Sequence, residues 1–246
     1  MNHLPIVEII GPTVQGEGPR AGRRAALIRL GGCNLTCQAC DTAYAWDGTT
    51  TTTMIEPTTI MKQLATRAGK HPFHHVVITG GEPLIHQRRL GFQNLIIRLL
   101  ADGIPVEIET NGTIIPSAWF VPRMEGIIRG AAGPLVSFVV SPKIVGPLAT
   151  DPEGRRMKIT ALRWFGRRDC VTIKAVCRTI DDISATARWA DRNNISRNKI
   201  WVMAEGSTWT DHITHAQNLI RLILAEGMNA SPRLHLALWP DATRGH

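Results

Sequence analysis

Three cysteines stand within eight residues, Cys33-Asn-Leu-Thr-Cys37-Gln-Ala-Cys40, directly after the apolar run Ala25–Leu30. An odd thiol cluster in a chain expected to stay in a reducing interior points to metal or redox chemistry rather than disulfides. Spacings of four and three would also put the three thiols on one buried helix face. Gly31, Gly32 and Asn34 favour a loop instead, whose backbone wraps so that the sulfurs converge on one small object. A structural zinc ion would want a fourth ligand at recognisable spacing, and none stands out. Cys170 and Cys177 read as small buried residues on opposite faces of a strand. His74 and His75 read as surface or core packing. Three thiolates without a fourth suit an iron–sulfur cluster that keeps one iron open to a small molecule.

Polar groups recur wherever an apolar run ends. Thr79-Gly80-Gly81-Glu82-Pro83 pairs glycines that admit a ligand closely, a carboxylate that accepts from an ammonium, and a stiffening proline. Gln15 and Glu17 lie in the Gly-rich segment Ile10–Gly18, offering an amide and a carboxylate to a donor and acceptor edge. Arg29 ends a strand beside the cysteines and needs an anionic partner or an exit to solvent. Glu109-Thr110-Asn111-Gly112-Thr113 and Ser141-Pro142-Lys143 present a carboxylate, an amide and a lysine at two further strand ends. Lys174 sits inside Val171–Val176, where it either points into the site with a partner or reaches solvent.

Such groups need a scaffold that gathers strand ends. Apolar, β-rich stretches occur at Ile6–Ile10, Ala25–Leu30, His75–Thr79, Val106–Glu109, Leu135–Val140, Val171–Val176, Ile200–Met203 and Leu234–Trp239. Helical periodicity marks Thr59–Ala68, Phe92–Asp102, Ile183–Asn193 and Thr210–Glu226, with Asp181 and Thr210 as N-caps and Gly103 and Gly227 as stops. This βα rhythm predicts a largely parallel sheet, open or curled into a barrel, with function just after each strand. The 246 residues are 43% hydrophobic and 20% charged, which excludes disorder and predicts one domain over 1–246. There is no internal repeat or linker, and Thr49–Thr53 reads as an exposed loop or edge.

No apolar run reaches the roughly 18 residues of a membrane span, and Met1–Pro5 lacks a secretory start, so a cytoplasmic location is expected. The net charge of +8 fits nucleic acid, an anionic ligand or a basic surface. Its densest group, Arg155, Arg156, Lys158, Arg163, Arg167 and Arg168, is interspersed with Asp151, Glu153 and Asp169. That favours a solvated loop over a phosphate track, and no direct nucleic-acid partner is expected.

The CxxxCxxC loop followed by Gly-Gly-Glu-Pro resembles the radical S-adenosylmethionine superfamily. The resemblance implies a partial (βα) barrel, a mostly parallel curved sheet with helices outside. It also implies a [4Fe–4S] cluster on Cys33, Cys37 and Cys40 within loop 31–42. Ala39 stands where the superfamily usually packs an aromatic residue near the cofactor's adenine. From about Ile6 onward, Ile10–Gly18, Glu109–Thr113, Ser141–Lys143 and the ending Leu234-His235…Trp239-Pro240…Arg244-Gly245 look like the 7-carboxy-7-deazaguanine synthase family, particularly its Gram-positive form. Correspondence is weak near 114–135 and 144–170.

That family contracts 6-carboxy-5,6,7,8-tetrahydropterin to 7-carboxy-7-deazaguanine with loss of ammonia, feeding queuosine-type deazapurines. Carried over residue by residue, Val14, Gln15, Gly16, Glu17, Arg29, Thr79 and His246 contact substrate, with Arg29 gripping the substrate carboxylate. Ala39, Asp41, Gly81, Glu82, Glu109, Ser141, Lys143 and Lys174 contact S-adenosylmethionine, and Thr42 binds Mg²⁺. Segment 232–246 closes the substrate site. An external flavodoxin- or ferredoxin-type electron donor and a homodimer are implied as partners. Two rivals stay open: an activase that makes a glycyl radical on another protein, and a metal- or nucleic-acid-binding module suggested by the basic pI of 9.8.

Overall fold

The computed structural model describes residues 2–124 and 135–240. His246, with Arg244 and Gly245, lies outside the described residues. The strands are β1 (Leu4–Val14), β2 (Arg24–Leu30), β3 (Thr53–Ile55), β4 (His75–Gly80), β5 (Val106–Thr110), β6 (Val136–Val140), β7 (Val171–Cys177), β8 (Ile200–Ala204) and β9 (Asn229–Ser231). They form one sheet in the order β3-β1-β2-β4-β5-β6-β7-β8-β9. β1 is antiparallel to β2 and β3, and every pair from β2–β4 through β8–β9 is parallel. Among the described residues the α-helices are α1 (Pro57–Ala68), α2 (Leu90–Ala101), α3 (Val121–Met124), α4 (Glu153–Arg156), α5 (Ile159–Gly166), α6 (Ile180–Arg192) and α7 (Trp209–Ala225), which lie between strands, and α8 (Leu234–Leu238), which follows β9.

The period of two along each strand sorts the chain into two environments. Ile28, Val76, Ile78, Val106, Ile108, Phe138 and Ile173 pack under the helices, against Leu95 and Leu99 of α2, Phe165 of α5, Ile183 of α6 and Ile223 of α7. Each such fully buried side chain is worth about 1.5–3 kcal/mol. Phe92, Phe120, Phe138 and Phe165 form an edge-on file across this layer, with successive centroids 6.3, 5.7 and 5.5 Å apart. The alternate residues Arg29, Val77, Thr79, Glu109, Val139 and Lys174 face the other way, into a cavity. Apolar pattern therefore builds the wall, and polar exceptions to it are delivered to the concave side.

The sheet curls without closing. β3 and β9 are its edges, yet the curl brings the segment after β9 onto the loop after β1. Gly18 N donates to Ser231 Oγ at 2.8 Å, and Leu234 N donates to Gly16 O at 2.9 Å. A Cβ on Gly16 would lie 2.3 Å from His235 Nδ1 and 3.2 Å from His235 N, so a larger residue would have to displace His235.

Seven expected strands appear within a few residues, and Thr53 opens the edge strand β3. The eighth, Leu234–Trp239, is the helix α8 instead. Five residues are too short for periodicity to separate helix from strand, and the contact with Gly16 fixes the turn. Both N-caps lie two residues earlier than expected. Thr179, not Asp181, caps α6 in a reciprocal box with Asp182, and Thr208, not Thr210, caps α7 by accepting from Asp211 N. Gly103 and Gly227 end α2 and α7 with φ of +72° and +69°, as expected. The basic stretch expected as a solvated loop is helical, α4 and α5, and it makes contacts of its own. Arg155 donates to Asn34 O at 2.9 Å, and Arg156 donates to the carbonyls of Lys143 and Ile144.

Candidate active site

A cavity of about 520 Å³ opens at the carboxyl ends of the parallel strands. Cys33, Cys37 and Cys40 line one wall of it. Their loop is fastened from several directions: Gly32 N donates to Ala45 O at 2.8 Å, and Glu82 N to Gly32 O at 2.9 Å. Asp151 accepts from Thr36 N and Oγ1 at 2.9 and 3.0 Å. Asn34 bonds Thr113 and Asn111 at 2.8 and 2.9 Å. The second motif glycine makes this possible, since a Cβ on Gly81 would lie 2.1 Å from Gly32 O. The paired glycines thus bring β4 against the cysteine loop itself.

Three thiols on one loop, all lining the same cavity wall, are a donor set that fits an iron–sulfur cluster. Burial pushes the Cys33 thiol up to about 11 and raises Cys37, and the nearby thiols add to the effect at Cys33. Thiols held protonated in this way would bind a metal only by giving up their protons, and the Lys143 charge opposes the rise at Cys37. Lys143 Nζ donates to Ser141 Oγ at 3.1 Å, and both residues line the cavity. Burial lowers its pKa. No carboxylate among the described residues forms an ion pair with it, so an anionic ligand could offset the cost of burying its charge.

Glu82 is held by donors from its own chain. It is fully buried behind Gly81 and accepts from Leu84 N, Thr110 Oγ1 and Asn111 N at 2.9, 2.8 and 2.7 Å. Three of about four lone-pair positions are filled. Burial raises its pKa against these bonds. Its carboxylate ties the end of β4 to the end of β5. Ala39 is exposed and lies off the cavity.

Glu17, Lys174 and Arg233 form the strongest electrostatic feature. Lys174 Nζ pairs with Glu17 Oε2, Arg233 Nε lies 3.1 Å from Glu17 Oε1, and His235 Nε2 lies 3.9 Å away. Arg233 also donates to Asp41 at 2.7 Å and to Gly206 O at 2.6 Å. Burial would raise Glu17, but Lys174, Arg233 and His235 together hold it far below the ordinary carboxylate range. Burial would lower Lys174, and Glu17 with Glu109 drives it upward instead. Of its two expected alternatives, Lys174 takes the inward one. Arg233 and His235 lie in segment 232–246, expected to close the substrate site, but neither is singled out by the sequence as a contact residue, since only the curl brings the segment after β9 to β1.

Arg29 finds an anionic partner within the chain: its Nε donates to Glu8 Oε1, which also accepts from Tyr44 OH at 2.8 Å. Gln15 Nε2 donates to Glu107 Oε1 at 2.9 Å and Glu109 Oε1 at 3.4 Å, and its Oε1 accepts from Gly16 N at 2.9 Å. Thr79 Oγ1 donates to Glu109 Oε2 at 3.0 Å. The amide of Gln15 therefore orients Glu109 rather than standing free for a ligand. Burial pushes Glu107 up to about 7. Sequence reading missed Glu107, although Val106-Glu-Ile-Glu109 on a strand puts both carboxylates on one face. Thr42 Oγ1 lies 3.6 Å from Cys40 Sγ, and Val14, Gly16 and Asp41 complete the expected lining.

The superfamily expected from the motifs is found by comparison. A family model described as the radical SAM superfamily matches residues 27–138. A crystal structure of QueE from Escherichia coli, 24% identical, superposes with a TM-score of 0.63 over 93% of each chain. SuiB of Streptococcus suis, solved with S-adenosylmethionine, is 17% identical, with a TM-score of 0.54 over 80% of this chain and 47% of its own. The fold is that of a radical SAM protein, a mostly parallel, unclosed curved sheet with helices. Two proteins called 7-carboxy-7-deazaguanine synthase match nearly end to end. The one from Pyrobaculum aerophilum is 30% identical over 98% of this chain and 99% of its own, and the one from Halobacterium salinarum 31% over 97% and 91%. The chain belongs to the 7-carboxy-7-deazaguanine synthase family.

Proposed function

We propose that this chain converts 6-carboxy-5,6,7,8-tetrahydropterin to 7-carboxy-7-deazaguanine with loss of ammonia, using a [4Fe–4S] cluster, S-adenosylmethionine and Mg²⁺. The observation that carries the reading is that the three cysteines, Lys143, Arg29 and the oriented Glu109 line one cavity of about 520 Å³, of a size for small ligands. The cluster and S-adenosylmethionine, when bound, supply one-electron chemistry that begins with hydrogen removal from the substrate.

The chain holds and orients. Cys33, Cys37 and Cys40 ligate the iron, and Lys143 with Ser141 receives the cofactor's carboxylate. Lys174 and Asp41 lie along the same side, tied together through Glu17 and Arg233. Glu109, gripped by Gln15 and Thr79, accepts from the amino and ring N–H groups of the pterin. Arg29 offers its guanidinium to the substrate carboxylate beyond the bond to Glu8. Thr42 gives Mg²⁺ one oxygen, leaving the remaining positions to substrate and water. Leu236 and Trp239 on the segment after β9 cover the cavity and exclude water. The chain works as one domain and a homodimer in the cytoplasm, with a flavodoxin- or ferredoxin-type protein delivering the electron. No helix among the described residues is long and apolar enough to cross a membrane.

An activase for glycyl-radical proteins would have no use for Glu109 held inside a small cavity, and the relatives support the pterin reaction. Anaerobic incubation of the reconstituted enzyme with reductant, S-adenosylmethionine, Mg²⁺ and the pterin tests the reading. Product and 5′-deoxyadenosine are expected together, both absent from Cys37→Ala. 5′-Deoxyadenosine formed equally with and without the pterin, and no deazaguanine, would refute it.

A further inference from the structure

Beneath the cavity, the floor of the barrel carries a carboxylate that the proposed reaction does not use. Glu107 is 2% exposed and stands two residues before Glu109, on the same face of β5. Among the described residues, its hydrogen bond to a cavity-lining side chain is the one from Gln15. The Gln15 amide cannot turn over, because Gly16 N holds its oxygen, so both amide hydrogens face the two carboxylates. Glu107 takes the short bond of 2.9 Å and Glu109 the long one of 3.4 Å. One amide is thus shared unequally by a floor carboxylate and a ligand-facing carboxylate.

We propose that Glu107 is a positioning residue that sets, through Gln15, how firmly Glu109 is presented to the ligand, and that losing its proton loosens the presentation. The inference rests on the reading of Glu109 as a pterin contact. Bonds to an ionised acceptor are roughly twice as strong as neutral ones. While Glu107 is protonated, its carbonyl oxygen accepts from Gln15 as one neutral partner among two. Once ionised, it draws the amide toward itself and away from Glu109, which then keeps, among the described residues, the hydrogen bond from Thr79. It also puts a second negative charge under Glu109.

The surroundings set where this occurs. Burial is the main influence and raises Glu107 to about 7, and Glu109 pushes the same way, whereas Arg20, Gln15 and Lys174 oppose. Arg20 Nε lies 3.5 Å from Glu107 Oε2 and is itself partly exposed. On the adjacent strand β4, His75 is buried beside Arg20 and held neutral, its pKa pushed down to about 4 by burial first and Arg20 second. On β6 the register partner of Glu107 is Ser137, which carries no charge.

The test uses the cluster-loaded enzyme and 6-carboxytetrahydropterin. Pterin affinity is expected to weaken about fivefold between about pH 6 and about pH 8, the worth of one hydrogen bond, with a midpoint near 7. Glu107→Gln keeps the acceptor and removes the titration, so its affinity should stay flat at the low-pH value. Infrared titration of the substrate-free enzyme should show a protonated-carboxyl band that disappears near the same midpoint and is missing from Glu107→Gln. The same pH dependence in Glu107→Gln, or no such band in the wild type, overturns the inference and leaves the pterin reading intact. No pterin binding at either pH, with the band titrating as expected, overturns the pterin reading and the ligand-presenting role built on it.

Discussion

Lys174→Met should lower the free energy of unfolding by about 3 kcal/mol at neutral pH, the low end of the cost of stranding one partner of a buried ion pair. Lys174 is 7% exposed, its side chain pairs with Glu17, and the methionine would keep the apolar stem while removing the ammonium. Arg233 remains 3.1 Å from the same carboxylate, which limits the loss. The pH dependence follows from the two shifts. Glu17 titrates below its ordinary 4.5 in the folded state, so its contribution is full above that value and is lost as pH falls. Lys174 is raised above its ordinary 10.5, so its contribution is full below that value and is lost as pH rises past it. Urea unfolding of both proteins should therefore show the largest difference near pH 7 and a shrinking one toward about pH 3. Equal stability at pH 7 would mean that the pair only breaks even with its desolvation.

Gly81→Ala is expected to weaken cluster retention by about tenfold or more while leaving a folded protein. The added Cβ would lie 2.1 Å from Gly32 O and 2.9 Å from Cys33 Cβ. Because the first of these is backbone, the cysteine loop must move and carry Cys33 with it. Gly154→Ala serves as the control, with nothing within 4 Å of the new methyl. Iron content after gel filtration checks both: retained in the control, largely lost from Gly81→Ala. Wild-type iron content in Gly81→Ala would show that the cysteine loop does not depend on this close approach.

How far the sequence anticipated this arrangement depends on how local each signal is. The Cys33–Cys40 loop and Thr79–Pro83 are set by neighbouring residues, and most of the side chains singled out beside strand ends line the cavity. The central strands are equally legible, since Val76–Ile78 or Ile200–Val202 must be covered on at least one face wherever they lie. What escaped depends on distance along the chain. Arg233 reaches Glu17 and Asp41 only because nine strands curl, and α8 is helical because of what it docks on rather than its own pattern. Glu82 is a subtler case: its residue type and place suggest a ligand contact, and the three donors from Leu84, Thr110 and Asn111 that also hold it were not legible in the sequence. Thr179 and Asp182 were readable as a capping box and were overlooked in favour of the nearer Asp181.

The central claim is that three thiols hold one cluster, and counting metal and sulfide tests it most directly. After anaerobic reconstitution and desalting, the wild-type chain should carry about four irons and four sulfides, with a reduced-state paramagnetic resonance signal that changes when S-adenosylmethionine is added. Cys33→Ala, Cys37→Ala and Cys40→Ala should each lose most of both. One zinc per chain, no sulfide and no signal would contradict the account.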